Sequence, residues 1–160
     1  MARILIIDDD TMLSHMLSDL VERMGHEATI AGTRRKGLDC CKADHFDVVL
    51  LDVQLPDGNG LDVIPEIRSE SASAPEVILI TAQGDPDGAE LAIKSGAWDY
   101  IEKPSSIKRM SLPIMRAVEY REEKCARAPL KALKRDGIIG SSAHINHCFD
   151  QLAQAASSDA

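Results

Sequence analysis

Aromatic side chains are nearly missing from this 160-residue chain: one Trp, two Tyr and two Phe, 3% of the total. A core built from it has to be aliphatic, drawn from Ile, Leu, Val and Met within a hydrophobic content of 44%. Cysteine is scarce as well. Cys40, Cys41, Cys125 and Cys148 show no CxxC or other metal-ligand spacing, and adjacent Cys40 and Cys41 cannot bridge each other without strain. They read as packing residues of a reduced, cytoplasmic protein. No apolar run approaches membrane-spanning length, and the run Ile4–Ile7 is too short for a signal peptide and ends in three aspartates. Positive charge is in deficit, with a formal net charge of -8. From Pro129 onward three basic residues (Lys131, Lys134, Arg135) balance three acidic ones (Asp136, Asp150, Asp159), so the whole excess of acid lies in residues 1–128. Such a surface repels phosphodiester backbones and suits a divalent cation or a cationic partner. Direct nucleic-acid binding by this segment is not expected, and neither is membrane association.

What is present is an alternation. Apolar runs of strand length occur at Ile4–Ile7, Ala28–Ala31, Val48–Leu51, Val77–Ile80 and Tyr100–Ile101, with helical segments between them. The first, third and fourth lack polar alternation, as strands buried on both faces do. Met12, Met16, Leu17, Leu20, Val21 and Met24 repeat at helical spacing, predicting a core-facing stripe that Gly25 terminates. Thr33 is placed to cap a second helix, with Arg34–Arg35–Lys36 as its solvated start. Leu61–Ser69 reads as a third helix, Pro86–Ser95 as a fourth stopped by Gly96, and about Leu112 to Arg127 as a fifth with Ser111 as N-cap. Five strands alternating with five helices predict an α/β fold with a doubly wound parallel sheet, whose functional groups lie beyond the carboxyl ends of the strands.

At those ends the chemistry is concentrated. Asp8, Asp9 and Asp10 follow the first strand and Asp52 the third; Thr81 ends the fourth, and Lys103 and Pro104 follow the fifth. If these strands are neighbours about 5 Å apart, the groups converge on one edge of the sheet. Carboxylates crowded there repel each other and raise one another's pKa values. A hard divalent cation such as magnesium, which takes carboxylate, carbonyl and water oxygens, relieves that repulsion. Asp10 is most simply the N-cap of the first helix. Any one of these residues taken alone is an ordinary strand-end group; their joint placement points to a site.

The stretches Arg3–Asp10, Val49–Leu61, Ile80–Ala82 and Gly96–Pro104 resemble the receiver domain of bacterial two-component response regulators. The resemblance implies a flavodoxin-like fold with strand order 2-1-3-4-5. It implies Asp52 as phosphoacceptor, with Mg2+ held by Asp8, Asp9, Asp52 and the backbone carbonyl of Gln54. Thr81 and Lys103 would contact the phosphoryl group, Tyr100 would be an aromatic switch, and the bond before Pro104 would be cis. Gln54 and Gln83 would influence the lifetime of the acyl phosphate. The phosphodonor would be a histidine kinase, and the domain would be a regulatory phosphoacceptor with at most autophosphorylation and autodephosphorylation activity. Ser105 departs from the family, which often has Phe there.

The receiver is expected over residues 1–128, with a linker at 129–136. Residues 137–160, with Ile145, Cys148, Phe149, Leu152 and Ala156 at helical spacing, are similar to the start of the AAA+ ATPase domain of sigma-54-dependent transcription activators. They would form a C-terminal helical extension, the beginning of a truncated domain that lacks a G-x-x-x-x-G-K-[ST] loop. The parent protein would then bind DNA, ATP and sigma-54 RNA polymerase. His144 and His147 lie within that apolar periodicity and read as helix residues, not as metal ligands. In that family the last receiver helix and linker can form a dimer; here Ile114, Val118, Arg121 and Cys125 have the spacing, with Arg121 interrupting the stripe. Two other readings remain: a stand-alone phosphorelay receiver with an extension, and an aspartate-nucleophile phosphatase using Asp8 and Asp10. The second has Met12 where that motif needs Thr or Val.

Overall fold

The computed structural model describes residues 1–71, 73–82, 86–103 and 106–127. The readings that fall on Gln83, Pro104, Ser105, the linker, His144, His147 and the 137–160 helix lie outside these residues. The elements run β1 (Arg3–Ile7), α1 (Thr11–Arg23), β2 (Glu27–Ala31), α2 (Arg34–Ala43), β3 (Val48–Asp52), the two-residue strands β4 (Gln54–Leu55) and β5 (Gly58–Asn59), a 3-10 turn (Gly60–Val63), α3 (Ile64–Glu70), β6 (Glu76–Thr81), α4 (Pro86–Lys94), β7 (Asp99–Glu102), a second 3-10 turn (Ile107–Met110) and α5 (Ser111–Arg127). The five longer strands form one parallel sheet in the order β2-β1-β3-β6-β7, the expected 2-1-3-4-5 once the β4–β5 hairpin is set aside.

The unbroken apolar runs are explained by two cores, one on each face of this sheet. Ile4, Ile6, Val48, Leu50, Ile78 and Ile80 point into a cluster closed by Leu17, Val21, Ile114 and Val118 of α1 and α5. Leu5, Ile7, Val49, Leu51, Val77 and Leu79 point the other way, onto Cys41, Phe46, Ile64 and Ile67. Alternate residues of one strand therefore serve opposite cores, and no position on β3 or β6 faces water. Cys41 is packed in the second cluster, where burial pushes its thiol up to about 12, the behaviour of a packing residue.

Local signals account for most helix ends. Asp10 caps α1 by accepting from the Leu13 amide at 3.0 Å, and Gly25 stands just beyond the C-cap with φ +84°, a conformation a side chain resists. Thr33 caps α2 through the Lys36 amide. Three expectations need correction. Met12 and Met16 are 74% and 44% exposed, not part of the core stripe, because only the Leu17–Leu20–Val21 side of α1 meets the sheet. Ser111 is the first residue of α5 and not its cap: the preceding 3-10 turn runs straight into the helix, and the Ser111 hydroxyl donates back to the Lys108 carbonyl at 2.7 Å. The proposed dimer stripe on α5 faces inward, since Ile114, Val118 and Arg121 are all buried against their own domain.

The chain divides into two units, Met1–Arg121 and Glu122–Ala160. The described part of the second is the end of α5, where Glu123 and Arg127 form an i,i+4 ion pair at 3.7 Å. No helix among the described residues is long and apolar enough to cross a membrane.

Candidate functional site

β1 and β3 are adjacent and in register, Ile7 beside Leu51, so the residues that follow them leave the sheet side by side. That places Asp8 and Asp52 together, both buried, with exposed Asp9 at the rim. Carboxylate oxygens from Asp8, Asp9 and Asp52 lie within 4.8 Å of one another. The next strands supply the other groups. Asp52 pairs with Ile80, which puts Thr81 at the same edge, buried, and Thr81 pairs with Glu102, which carries Lys103 out of β7 toward the acids.

The Lys103 ammonium bridges the two buried carboxylates, 2.9 Å from Asp52 Oδ2 and 3.3 Å from Asp8 Oδ1. Burial alone would lower its pKa; the hydrogen bonds to Asp52 and Asp8 together outweigh that and raise it, so the ammonium stays charged. Asp8 is pushed the other way from a normal carboxyl: desolvation raises its pKa, and the neighbouring Asp52 charge adds to this against the Asp10 amide and Lys103. Its Oδ1 accepts from the Asp10 amide at 2.8 Å. Its Oδ2 is buried without a hydrogen-bond partner, although Lys103 Nζ lies 3.1 Å away. Close approach without donor alignment is attraction without a bond, so this oxygen keeps hydrogen-bonding capacity that no donor fills.

That orphaned buried oxygen, together with three convergent carboxylates, fits a hard cation that prefers oxygen ligands and keeps some of its water. Asp8, Asp9 and Asp52 can hold it. Asp52 itself is held at both oxygens: Oδ2 by Lys103 and Oδ1 by the Gln54 amide, which donates at 3.2 Å. Gln54 opens the β4–β5 hairpin, where it pairs with Asn59. Tyr100 is half-buried on β7 and packs on the cluster that contains Val77 and Leu79. Asp10 caps α1 through one carboxylate oxygen and is not among the three converging carboxylates, which weakens the Asp8/Asp10 phosphatase reading.

The structure also brings in Ser14, which the sequence reading passed over. The Ser14 hydroxyl donates to the Asp8 carbonyl at 3.2 Å, one turn into α1. Gly60 returns the hairpin onto β3: its amide donates to the Val53 carbonyl at 2.8 Å, and a Cβ there would lie 2.1 Å from the Asp52 carbonyl oxygen. Gly58 forms a turn with φ +140°, whereas Gly60 is needed for close approach and not for an unusual φ.

Residues 4–114 match the response regulator receiver domain, and the chain belongs to that family. It is 30% identical over 157 residues to the transcriptional regulatory protein ZraR of Salmonella typhimurium, covering 98% of this chain and 35% of that protein. It is 30% identical over 156 residues to the response regulator protein PilR of Pseudomonas aeruginosa, covering 98% and 34%. The chain thus spans about a third of the length of these relatives. Among solved structures, the beryllofluoride-activated NtrC4 receiver domain dimer is 38% identical with a TM-score of 0.70, over 76% of this chain and 99% of that one. A receiver domain protein of Methanospirillum hungatei, described as CheY-like, gives a TM-score of 0.72 at 27% identity, over 78% and 98%.

Proposed function

We propose that this chain is a phosphorylation-dependent signalling switch in which Asp52 accepts a phosphoryl group from a histidine kinase, with Mg2+ as cofactor. The observation that carries this is the convergence of a buried Asp52 carboxylate with Asp8 and Asp9, with Lys103 bridging Asp52 and Asp8. In the reaction an Asp52 oxygen attacks phosphorus, the O–P bond forms as the N–P bond of phosphohistidine breaks, and the leaving imidazole nitrogen takes up a proton. Magnesium, when bound by Asp8, Asp9, Asp52 and the Gln54 carbonyl, neutralises charge on the transferring group. Lys103, which bridges Asp52 and Asp8 and keeps its charge, would offset charge on the same oxygens. Thr81, buried at the end of β6, would donate its hydroxyl to a phosphoryl group on Asp52. Tyr100, one strand over, is the residue whose packing would report that shift as a switch.

The chemistry belongs to a regulatory domain whose only turnover is gain and loss of its own phosphoryl group. We assign residues 1–128 to this receiver, 129–136 to a linker and 137–160 to the beginning of an AAA+ domain. Similarity across 98% of the chain to proteins named as a transcriptional regulatory protein and a response regulator supports an output in transcription, through a sigma-54-dependent activator that also binds DNA, ATP and RNA polymerase. The free thiols of Cys40 and Cys41 suit a cytoplasmic location. A second copy of the receiver is a further partner, by analogy with the NtrC4 receiver dimer.

The test is phosphate incorporation from a small-molecule phosphodonor with Mg2+. Asp52→Asn abolishes labelling on this reading; labelling kept in Asp52→Asn but lost in Asp8→Asn overturns it in favour of a phosphatase-like nucleophile. The coding sequence beyond Ala160 separates the activator from a stand-alone phosphorelay receiver: a phosphate-binding loop within a few residues supports the first, a stop codon the second.

A further inference from the structure

The first turn of α2 presents a difficulty. Arg34, Arg35 and Lys36 place three cations at the end of a helix that already carries partial positive charge, where acids are favoured. The usual remedies are absent from the helix itself, which has no acid in its first turn. Relief comes from 23 residues away. Asp57, at the tip of the β4–β5 hairpin, accepts from the Arg34 amide through Oδ1 and from the Arg35 amide through Oδ2, both at 2.9 Å. Thr33 takes the third amide, that of Lys36, at 3.2 Å. Arg34 then reaches back over the hairpin: its Nη1 lies 4.0 Å from Asp62 Oδ2, and a Cβ built on Gly58 would meet that same nitrogen at 3.1 Å.

A two-strand hairpin with two residues per strand has almost no stability of its own. Its inner end, however, touches the phosphorylation site, because the Gln54 amide holds Asp52 Oδ1. Its outer end is Asp57. The hairpin is therefore pinned at both ends, by Asp52 inside and by the α2 terminus outside, with Gly60 closing it onto Val53.

We propose that Asp57 is a positioning residue for the acidic site: by clamping the β4–β5 hairpin to the α2 N-terminus, it fixes Gln54 against Asp52. This rests on the proposed role of Gln54 and Asp52 in binding Mg2+. The clamp itself is a property of the chain without metal. A bidentate carboxylate suits this task because two adjacent amides of a helix N-terminus point the same way. Asn in its place offers one acceptor and turns an amine toward the second amide, so Asp57→Asn loses about half the clamp.

The experiment uses the full chain and two readouts, with Thr33→Ala as the control that removes a cap from the same helix end without touching the hairpin. The first readout is amide hydrogen exchange without metal. Asp57→Ala speeds exchange at Arg34, Arg35 and Gly60, whereas Thr33→Ala speeds it at Lys36 and leaves Gly60 unchanged. The second is Mg2+ affinity by calorimetric titration, where Asp57→Ala weakens binding about tenfold, the lower end of what loss of an outer partner of a metal site costs. Asp57→Asn falls between Asp57→Ala and wild type, and Thr33→Ala stays within about twofold of wild type on the same scale. Unchanged Gly60 exchange in Asp57→Ala overturns the clamp, and equal loss of Mg2+ affinity in Asp57→Ala and Thr33→Ala overturns the positioning role. Failure of the underlying metal reading has a different signature: Asp8→Asn then binds Mg2+ as wild type does, while the exchange experiment still decides the clamp.

Discussion

Gly60→Ala is a sharp test of how the site is built, because the change is one methyl group. The added Cβ would lie 2.1 Å from the Asp52 carbonyl oxygen, 3.1 Å from the Asp52 carbonyl carbon and 3.2 Å from Val53 Cα. All three are backbone atoms, so no side chain can swing aside. Restoring contact to a normal ~3.4 Å separation moves the hairpin, or the end of β3, by roughly 1 Å. Overpacking of this kind costs about 1–3 kcal/mol of stability. The effect on function is larger, since a displacement of about 1 Å at a reacting group can cost on the order of a hundredfold in rate. The matched control is Gly32→Ala, where a Cβ meets nothing within 4 Å and no positive φ is required. Urea unfolding gives the stability change, and phosphorylation from a small-molecule donor gives the rate. If Gly60→Ala is phosphorylated as fast as Gly32→Ala, the hairpin does not set the position of Asp52 and the reasoning fails.

Three further outcomes are expected. Arg121 is buried, with its guanidinium bonded to the Ser73 and Ala74 carbonyls and 3.9 Å from Asp47 Oδ1, so Arg121→Ala should cost about 3 kcal/mol in urea unfolding, the low end for breaking a buried pair, because Asp47 keeps the Arg3 amide at 2.9 Å and His45 at 3.1 Å. Asp47 itself should make the fold acid-labile. Desolvation would raise its pKa, but hydrogen bonds from His45 and the Arg3 amide, with the nearby charges, hold it below the usual range. A depressed carboxyl contributes stability that is complete above its unfolded value of about 3.9 and is lost as pH falls below that toward the folded one. The stability gap between wild type and Asp47→Asn should therefore narrow below about pH 4 in unfolding measured against pH. Asp44 is held at about 2 by Arg3 but is half exposed, and solvent screening leaves it a minor contributor. Lys103→Met should separate binding from chemistry: with the ammonium gone from between Asp8 and Asp52, Mg2+ affinity by titration rises about tenfold, while phosphoryl transfer falls by about a hundredfold or more.

The site was legible because it depends on chain order. Once β1, β3, β6 and β7 are parallel neighbours, whatever follows Ile7, Leu51, Ile80 and Glu102 must meet at one edge, and no side-chain detail is needed. Helix faces were less legible. Methionine counts as apolar in any stripe, yet a 13-residue helix lying on a sheet buries one narrow side, and Met12 and Met16 fall outside it. Arg121 reads as a surface residue because arginine is almost never buried unless paired, and its partners, the Ser73 and Ala74 carbonyls and Asp47, are backbone groups and an acid far away in sequence. The β4–β5 hairpin has two residues per strand, too few to show any period, and its anchor Asp57 caps a helix from 23 residues away, where no local motif exists to find. What the sequence hid in each case is a contact between segments; what it disclosed is the order of segments.

On the proposed reading, the charges at the site favour a divalent cation over a second lysine. Asp8, Asp9 and Asp52 bring three carboxylates and Lys103 one ammonium, leaving two negative charges uncompensated among these four groups. A second lysine would balance only one of them, and its long side chain would have to be ordered beside buried Asp8. It would also tie up the carboxylates that must stay available. A divalent ion balances both charges through short oxygen contacts and can depart when the chemistry is done. The raised pKa of Asp8 records first the cost of burying its carboxylate and, in smaller part, that of holding Asp52 beside it. Lys103 approaches Asp52 more closely than Asp8, and on the proposed reading its charge would meet the oxygens of the phosphoryl group that Asp52 accepts.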